Sequence, residues 1–294
     1  MNIDSVIKEE YAKGTPLNQI SKLVGIAVRN IQVRATKLGL THPNHPAYRK
    51  QQMRLGYEAR KKPFRNKHEL IEPPTSPNTK NILIIGDTHE PFTLDGYRDF
   101  VYKTYKEYKC THVIHIGDLV DNHAVSYHES DPEGMSAGDE LDAAMDNVSK
   151  WYKLFPRMDV ILGNHDRLIM RKAFSGGIPR RWIMEYQDMF NVQGWNFTER
   201  VVYDDVQYIH GEGGTARARA KKDMMSTVQG HLHTQAYVEH IPGAHKNIFG
   251  MQVGCAIENR TYAMAYGKDY GKPAIGLGLV LDNGKTPISL MYRP

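Results

Sequence analysis

Five times in this 294-residue chain a short strand-like run ends in a tip of Asp, Asn, Gly and His. Asn81-Ile-Leu-Ile-Ile-Gly-Asp-Thr-His89 is the first and His112-Val-Ile-His-Ile-Gly-Asp-Leu-Val-Asp121 the second. Asp159-Val-Ile-Leu-Gly-Asn-His-Asp166, Val206-Gln-Tyr-Ile-His210 and Ser226-Thr-Val-Gln-Gly-His-Leu-His233 repeat the format. Runs of four or so mostly β-branched residues, apolar on both faces, predict buried strands of a sheet covered on each side. Helical patterns over Tyr97–Tyr108 and from about Ala137 to Phe155 separate the first three and predict crossover connections. Open α/β sheets gather their chemistry just past the carboxyl ends of the strands, and every polar tip falls there.

The tips supply carboxylate, amide and imidazole and no sulfur. Only two cysteines, Cys110 and Cys255, occur in the chain, so a disulfide framework and multi-cysteine zinc sites are excluded. Hard oxygen ligands with imidazole suit Mn, Fe, Zn, Ni or Co. Five such tips have enough donors for two cations about 4 Å apart, the spacing that clamps both oxygens of a phosphoryl displacement.

Asp87-x-His89, Gly117-Asp118-x-x-Asp121, Gly163-Asn164-His165-Asp166, His210 and Gly230-His231-x-His233, in this order and on strand ends, resemble the signature of the calcineurin-like metallophosphoesterases. The resemblance covers roughly residues 80–260 and implies an α/β fold, a two-sheet αββα sandwich. It implies two divalent cations, manganese first, with iron, zinc or nickel as alternatives. Asp87, His89 and His233 would hold the first, Asn164, His210 and His231 the second, and Asp118 would bridge them. It further implies attack on phosphorus by a hydroxide between the cations, with His165 assisting the leaving oxygen and Asp121 orienting His165. The protein serine/threonine phosphatases of the family carry Arg-Gly after the second motif and Glu after Asn-His. Here those positions are Asn122-His123 and Asp166, which counts against that branch.

Charge divides the chain unevenly. Residues 1–67 hold fourteen Lys/Arg against four Asp/Glu, a net +10, while the remainder is net −5. A basic quarter on a mildly acidic body predicts a module for a polyanion. Three short helices are predicted: from an Asp4 or Ser5 cap to about Ala12, from a Thr15 cap with Pro16 first, and from about Ala27 to Leu38. Leu17 to Gly39 resembles a helix-turn-helix, with Arg29, Asn30, Arg34 and Lys37 off the apolar stripe of the last helix as candidate DNA contacts. The expected division is a helix-turn-helix module at 1–45, a basic, proline-containing linker at 46–80 and the metallophosphoesterase domain at 81–294.

His123, His128 and Arg167, close in sequence to the bridging and catalytic motifs, are candidate substrate contacts, and Tyr262, Tyr266 and Tyr270 are expected in packing. The segments from Ile248, Ala274 and Ile288 are expected to be strands of the second sheet, the last two joined by an Asp282-Asn-Gly284 turn. No apolar run approaches the roughly 18 residues of a membrane span, so no membrane partner is expected. A cytoplasmic setting fits the two cysteines and the missing signal pattern. The resulting expectation is a two-metal phosphoesterase that cleaves phosphodiester bonds in DNA, a nuclease, with pairing into a homo-oligomer left open. The alternative is a phosphomonoesterase, protein phosphatase or small-nucleotide phosphodiesterase tethered by its first module.

Overall fold

The computed structural model describes residues 2–40, 80–127, 133–257 and 272–293. The basic stretch at 49–67, the proline-rich segment at 72–79, His128 and Tyr262, Tyr266 and Tyr270 lie outside the described residues. The chain divides into two compact units, 1–65 and 66–294.

Among its described residues the first unit has three helices, α1 (Ile3–Lys13), α2 (Leu17–Val24) and α3 (Val28–Lys37). Asn2, rather than Asp4 or Ser5, caps α1 by accepting the Asp4 N–H. Thr15 does not cap α2: its hydroxyl donates to the Glu10 carboxylate at 2.6 Å, and Pro16 stands at the cap with no side-chain bond. Gly14, Gly25 and Gly39 take left-handed conformations that end the helices where a side chain would be strained. Ile7, Tyr11, Ile20, Ile31 and Ala35 close one small core.

The second unit is a two-sheet α/β structure. The first sheet has six strands in the order β11-β10-β1-β2-β3-β4. They are β1 (Ile82–Ile85), β2 (His112–His115), β3 (Met158–Ile161), β4 (Trp195–Thr198), β10 (Gly276–Leu281) and β11 (Thr286–Met291). Strands β1 to β4 run parallel, and β10 and β11 are antiparallel additions beside β1. The second sheet has the order β5-β6-β7-β9-β8. Its strands are β5 (Arg200–Tyr203), β6 (Val206–Ile209), β7 (Ser226–Gln229), β8 (Tyr237–Ile241) and β9 (Ile248–Gln252).

Alternation along the strands sorts the core into layers. On β1, Leu83 and Ile85 pack with Val101 and Tyr105 of α4 (Tyr97–Glu107) and with Val148 and Trp151 of α5 (Ala137–Leu154). Ile82 and Ile84 face the other way, into a core shared with Val206, Tyr208, Val228 and Met251 of the second sheet. A short helix, α8 (Ala216–Asp223), covers β7 and β9 through Ala216 and Ala220, completing the αββα order. Its packing is so close that a Cβ on Gly250 would meet the Arg217 backbone. Two further helices, α6 (Leu168–Ser175) and α7 (Tyr186–Phe190), lie between β3 and β4 in the chain.

The C-terminal hairpin is the one misplaced element. Of the expected second-sheet strands, only β9 is there; β10 and β11 extend the first sheet. Strand β1 would otherwise be an edge, and the apolar Leu277, Leu279 and Val280 of β10 satisfy it on both faces.

Candidate active site

The parallel strands of both sheets present their carboxyl ends to one place. Past β1, Asp87 and His89 are buried; past β2, Asp118 and Asp121 are buried as well. The loop after β3 brings Asn164 and His165, the end of β6 brings His210, and the loop after β7 brings His231 and His233. His89, Asp118 and His231 have φ of 49°, 48° and 69°, a region that bulky residues rarely occupy. Three left-handed side chains at one site mean that the surrounding packing imposes the arrangement. Glycines make room: a Cβ on Gly163 would collide with the Asp118 carboxylate, and one on Gly230 with that of Asp87.

Among the described residues the ligating atoms form three groups; His89, Asp121 and His165 make one at the rim, and the other two share Asp118. Asp87, His89, Asp118 and His233 make the first of these two, and Asp118, His210 and His231 the second, with the atoms of each within 4.8 Å of one another. Asn164 joins the second, its Oδ1 lying 3.0 Å from His210 Nε2. Asp118 Oδ2 lies 3.1 Å from His210 Nε2 and 3.7 Å from His89 Nε2, facing both groups. All seven expected metal ligands therefore come together, with Asp118 in the shared position.

Second contacts orient the rings. His89 Nδ1 donates to Asp121 Oδ1 at 2.6 Å, and His210 Nδ1 donates to the Ile116 carbonyl at 3.1 Å. In each case the bond fixes the tautomer and leaves Nε2 as the lone-pair atom aimed inward. His89 Nε2 and His233 Nε2 consequently sit 3.1 Å apart, and His233 Nε2 is 3.2 Å from Asp87 Oδ2.

Several observations say that these residues fit cations. Asp87 Oδ1 and Asp121 Oδ2 are buried with no hydrogen-bond partner, a costly state for a carboxylate oxygen unless positive charge is supplied. Burial opposes charge on His210, yet the carboxylates of Asp118 and Asp87 outweigh it and push the imidazole up to about 9. Burial likewise works against the Asp118 anion, but His210 and His165 hold it well below the usual carboxylate range. His89 moves down, chiefly through burial, toward the neutral form a ligand needs. A buried nest of anions that draws protons onto neighbouring imidazoles is one that divalent cations would neutralise.

His165 sits at the rim. Its backbone N–H donates to Asp118 Oδ1 at 2.8 Å, and its Nδ1 donates to the backbone carbonyl of Asp121 at 2.6 Å. The Asp121 carboxylate stands 3.5 Å from that nitrogen and is committed to His89 instead. His165 is thus held by the Asp121 main chain, while the Asp121 side chain serves a metal ligand. Burial disfavours the His165 cation, but Asp118 and Asp121 outweigh it and its pKa lies above the ordinary histidine value.

The substrate candidates fare unevenly. His123 is buried, its backbone N–H donating to the Glu140 carboxylate at 2.7 Å, so it lies beneath the rim. Arg167 donates to the Gly163 carbonyl and pairs with Glu212 and Glu199, so its charge is shared with acidic side chains. On α3, Arg29, Asn30, Arg34 and Lys37 are all exposed, and Arg34 pairs with Asp4 at 2.8 Å.

Two further side chains, Asp166 and Asn122, support the site through its backbone. Asp166 accepts the Gly163 and Val120 N–H groups at 2.8 and 3.2 Å and so ties the second motif to the third. Burial and the nearby Asp118 push its carboxyl up to about 6. Asn122, at φ 55°, donates to the His165 carbonyl at 3.0 Å. Asp166 stands inside the third motif and Asn122 directly follows the second, so both positions were visible in the sequence, but not the backbone groups that they hold.

Residues 80–244 match the family model described as calcineurin-like phosphoesterase. No curated protein sequence matches the chain. Among solved structures, Vacuolar Protein Sorting 29 from Cryptosporidium parvum is 14% identical, with 73% of this chain and 99% of that one covered and a TM-score of 0.35. The phosphoesterase Yfce from E. coli is 14% identical over 71% of this chain and 99% of that one, TM-score 0.35. The nuclease MPE from Pseudomonas putida is 16% identical over 71% and 87%, TM-score 0.34.

Proposed function

Because this chain belongs to the calcineurin-like phosphoesterases, we propose that it is a two-metal phosphodiesterase acting on DNA, with the three-helix unit as its substrate handle. The observation that carries the chemistry is the shared carboxylate: Asp118 belongs to two ligand clusters and faces each. Two divalent cations held there would supply Lewis-acid stabilisation of phosphoryl charge and a nucleophile at neutral pH. Asp87, His89 and His233 would hold one, and Asn164, His210 and His231 the other.

The rest is done by this chain's own groups. Asp121 and the Ile116 carbonyl keep His89 and His210 presenting Nε2, so the ligands are set before substrate arrives. His165, with Nδ1 tied to the Asp121 carbonyl, is left with Nε2 as its free nitrogen, the atom to donate a proton to a leaving oxygen. DNA as substrate is supported by the +10 of residues 1–67 and by the exposed Arg29, Asn30 and Lys37 on α3.

The test is hydrolysis by the Mn²⁺-loaded protein, with Asp118→Asn as the blank. Double- and single-stranded DNA are compared with bis-p-nitrophenyl phosphate, p-nitrophenyl phosphate and a phosphopeptide. Cutting of DNA that Arg29→Ala/Lys37→Ala weakens, with the small diester unaffected, is the expected result. Turnover of the monoester or phosphopeptide with DNA untouched would overturn the nuclease reading and leave a tethered phosphatase.

A further inference from the structure

Helix α6 grows directly out of the catalytic loop: the Leu168 N–H bonds to the His165 carbonyl at 3.1 Å. Its inner face is spent on the fold, since Leu168 and Ala173 are buried. Its outer face and the following turn are not. Phe174 is 85% exposed and Trp182 79%, the two most exposed large hydrophobic side chains among the described residues. Between Arg167 and Met184 there are five Lys/Arg and no Asp or Glu. Arg171 and Lys172 stand 5.3 and 5.0 Å over the ring of the exposed Tyr127. Arg181 is exposed too, while Arg180 pairs with Glu185 at 3.3 Å.

Aromatic faces interleaved with cations are the surface that single-stranded nucleic acid requires. Bases stack on rings whatever their sequence, and the phosphates between them meet positive charge. A duplex, with its bases already stacked on one another, has no use for exposed rings. A protein partner or a second copy would use the apolar rings but not Arg171, Lys172 and Arg181, the cations of this stretch that make no ion pair with a carboxylate among the described residues, unlike Arg167 and Arg180. Phe174 lies six residues beyond Leu168, about 9 Å along the helix axis. An apolar cavity of about 320 Å³, lined in part by Met170 and Met184, also reaches Asn122 and Asp166 beside His165. Ile169 and Met170 of α6 and Ile183 and Met184 of the following turn thus share one cavity with residues next to His165.

We propose that the surface formed by Tyr127, α6 and the turn through Trp182 is a stacking platform for single-stranded nucleic acid, feeding a strand to the metal site. This rests on the phosphodiesterase reading above and narrows its substrate to unpaired strands or strand ends.

The chain has three tryptophans, and Trp151 and Trp195 are buried, so fluorescence changes at the surface report Trp182. The experiment titrates the full-length protein with a phosphorothioate oligothymidylate, which resists cleavage, and with the same sequence as a duplex. Hydrolysis of bis-p-nitrophenyl phosphate is measured alongside. Quenching of Trp182 by the single strand and not by the duplex is expected. Phe174→Ala should raise the midpoint about five- to a hundred-fold. Arg171→Ala/Arg181→Ala should lower the slope of log affinity against log salt by about 1.4.

Absence of quenching while a labelled strand binds by anisotropy would overturn the proposal, as would equal quenching by duplex. Shielding of Trp182 that grows with protein concentration in the absence of oligonucleotide would make the face a contact between copies and overturn it as well. Lack of quenching with diester hydrolysis intact sinks the platform alone. Quenching without hydrolysis of any phosphoester upholds the platform and sinks the enzymatic reading instead.

Discussion

At the scale of single residues, Asp121 separates two accounts of the site. The family resemblance gives it to His165, whereas the structure puts its carboxylate 2.6 Å from His89 Nδ1 and leaves His165 to the main-chain carbonyl. An outer-shell partner of a ligating histidine typically contributes about 10- to 100-fold in metal affinity. Asp121→Asn is therefore expected to weaken metal binding by that factor, seen by titrating activity against Mn²⁺ or by calorimetry. At saturating metal the loss of the Asp121 charge, which helps hold the His165 pKa up, should also move the basic limb of the pH–rate profile to lower pH. A profile that shifts while metal affinity holds would return Asp121 to His165. The residue types were readable from the chain because seven ligands sit in recognisable motifs. Which nitrogen Asp121 reaches was not, because a separation of 32 positions from His89 and 44 from His165 says nothing about distance.

At the scale of elements, strands that end in a polar tip or run apolar were readable, and short half-exposed strands were not. Strands β1, β2, β3, β6 and β7 stood out because both faces are buried and the tips are polar. Strands β5 and β8 are half exposed, and α8 has the polar sequence ARARAKKD, so neither pattern announces them. The C-terminal hairpin was readable as a hairpin and not as a neighbour of β1, since strand pairing across about 195 residues leaves no local trace. The close approach of the β3 loop to β2 yields a prediction at this scale. A Cβ on Gly163 would fall on the Asp118 carboxylate and its backbone nitrogen. Gly163→Ala must therefore push the third motif away from the second, costing about 1–3 kcal/mol by overpacking. A lower melting temperature with metal binding lost is the expected outcome; full metal affinity in Gly163→Ala would show that the loops have slack.

At the scale of the whole chain, the two units have separate cores and should answer differently to damage and to salt. Among its described residues the first unit rests on five buried side chains, Ile7, Tyr11, Ile20, Ile31 and Ala35, and a unit of this size is marginally stable. Removing a fully buried isoleucine from it costs about 2–5 kcal/mol, enough to unfold it. The expected consequence of Ile20→Ala is that DNA turnover loses most of its dependence on ionic strength while bis-p-nitrophenyl phosphate is hydrolysed as before. The physical reason is counterion release: each phosphate contact removes ions from the polymer, and a small diester has no such atmosphere to lose. In the wild type, log kcat/KM on DNA should fall linearly with log salt, and Arg29→Ala and Lys37→Ala should each reduce the slope by about 1. Arg34, held by Asp4 at 2.8 Å, should contribute less than either. A slope unchanged by Ile20→Ala but flattened by Arg171→Ala/Arg181→Ala would move the handle for DNA from the basic N-terminal unit to the face beside His165. A slope that neither set changes would leave both surfaces without a role in holding DNA, and the substrate would have to be sought among small phosphate esters.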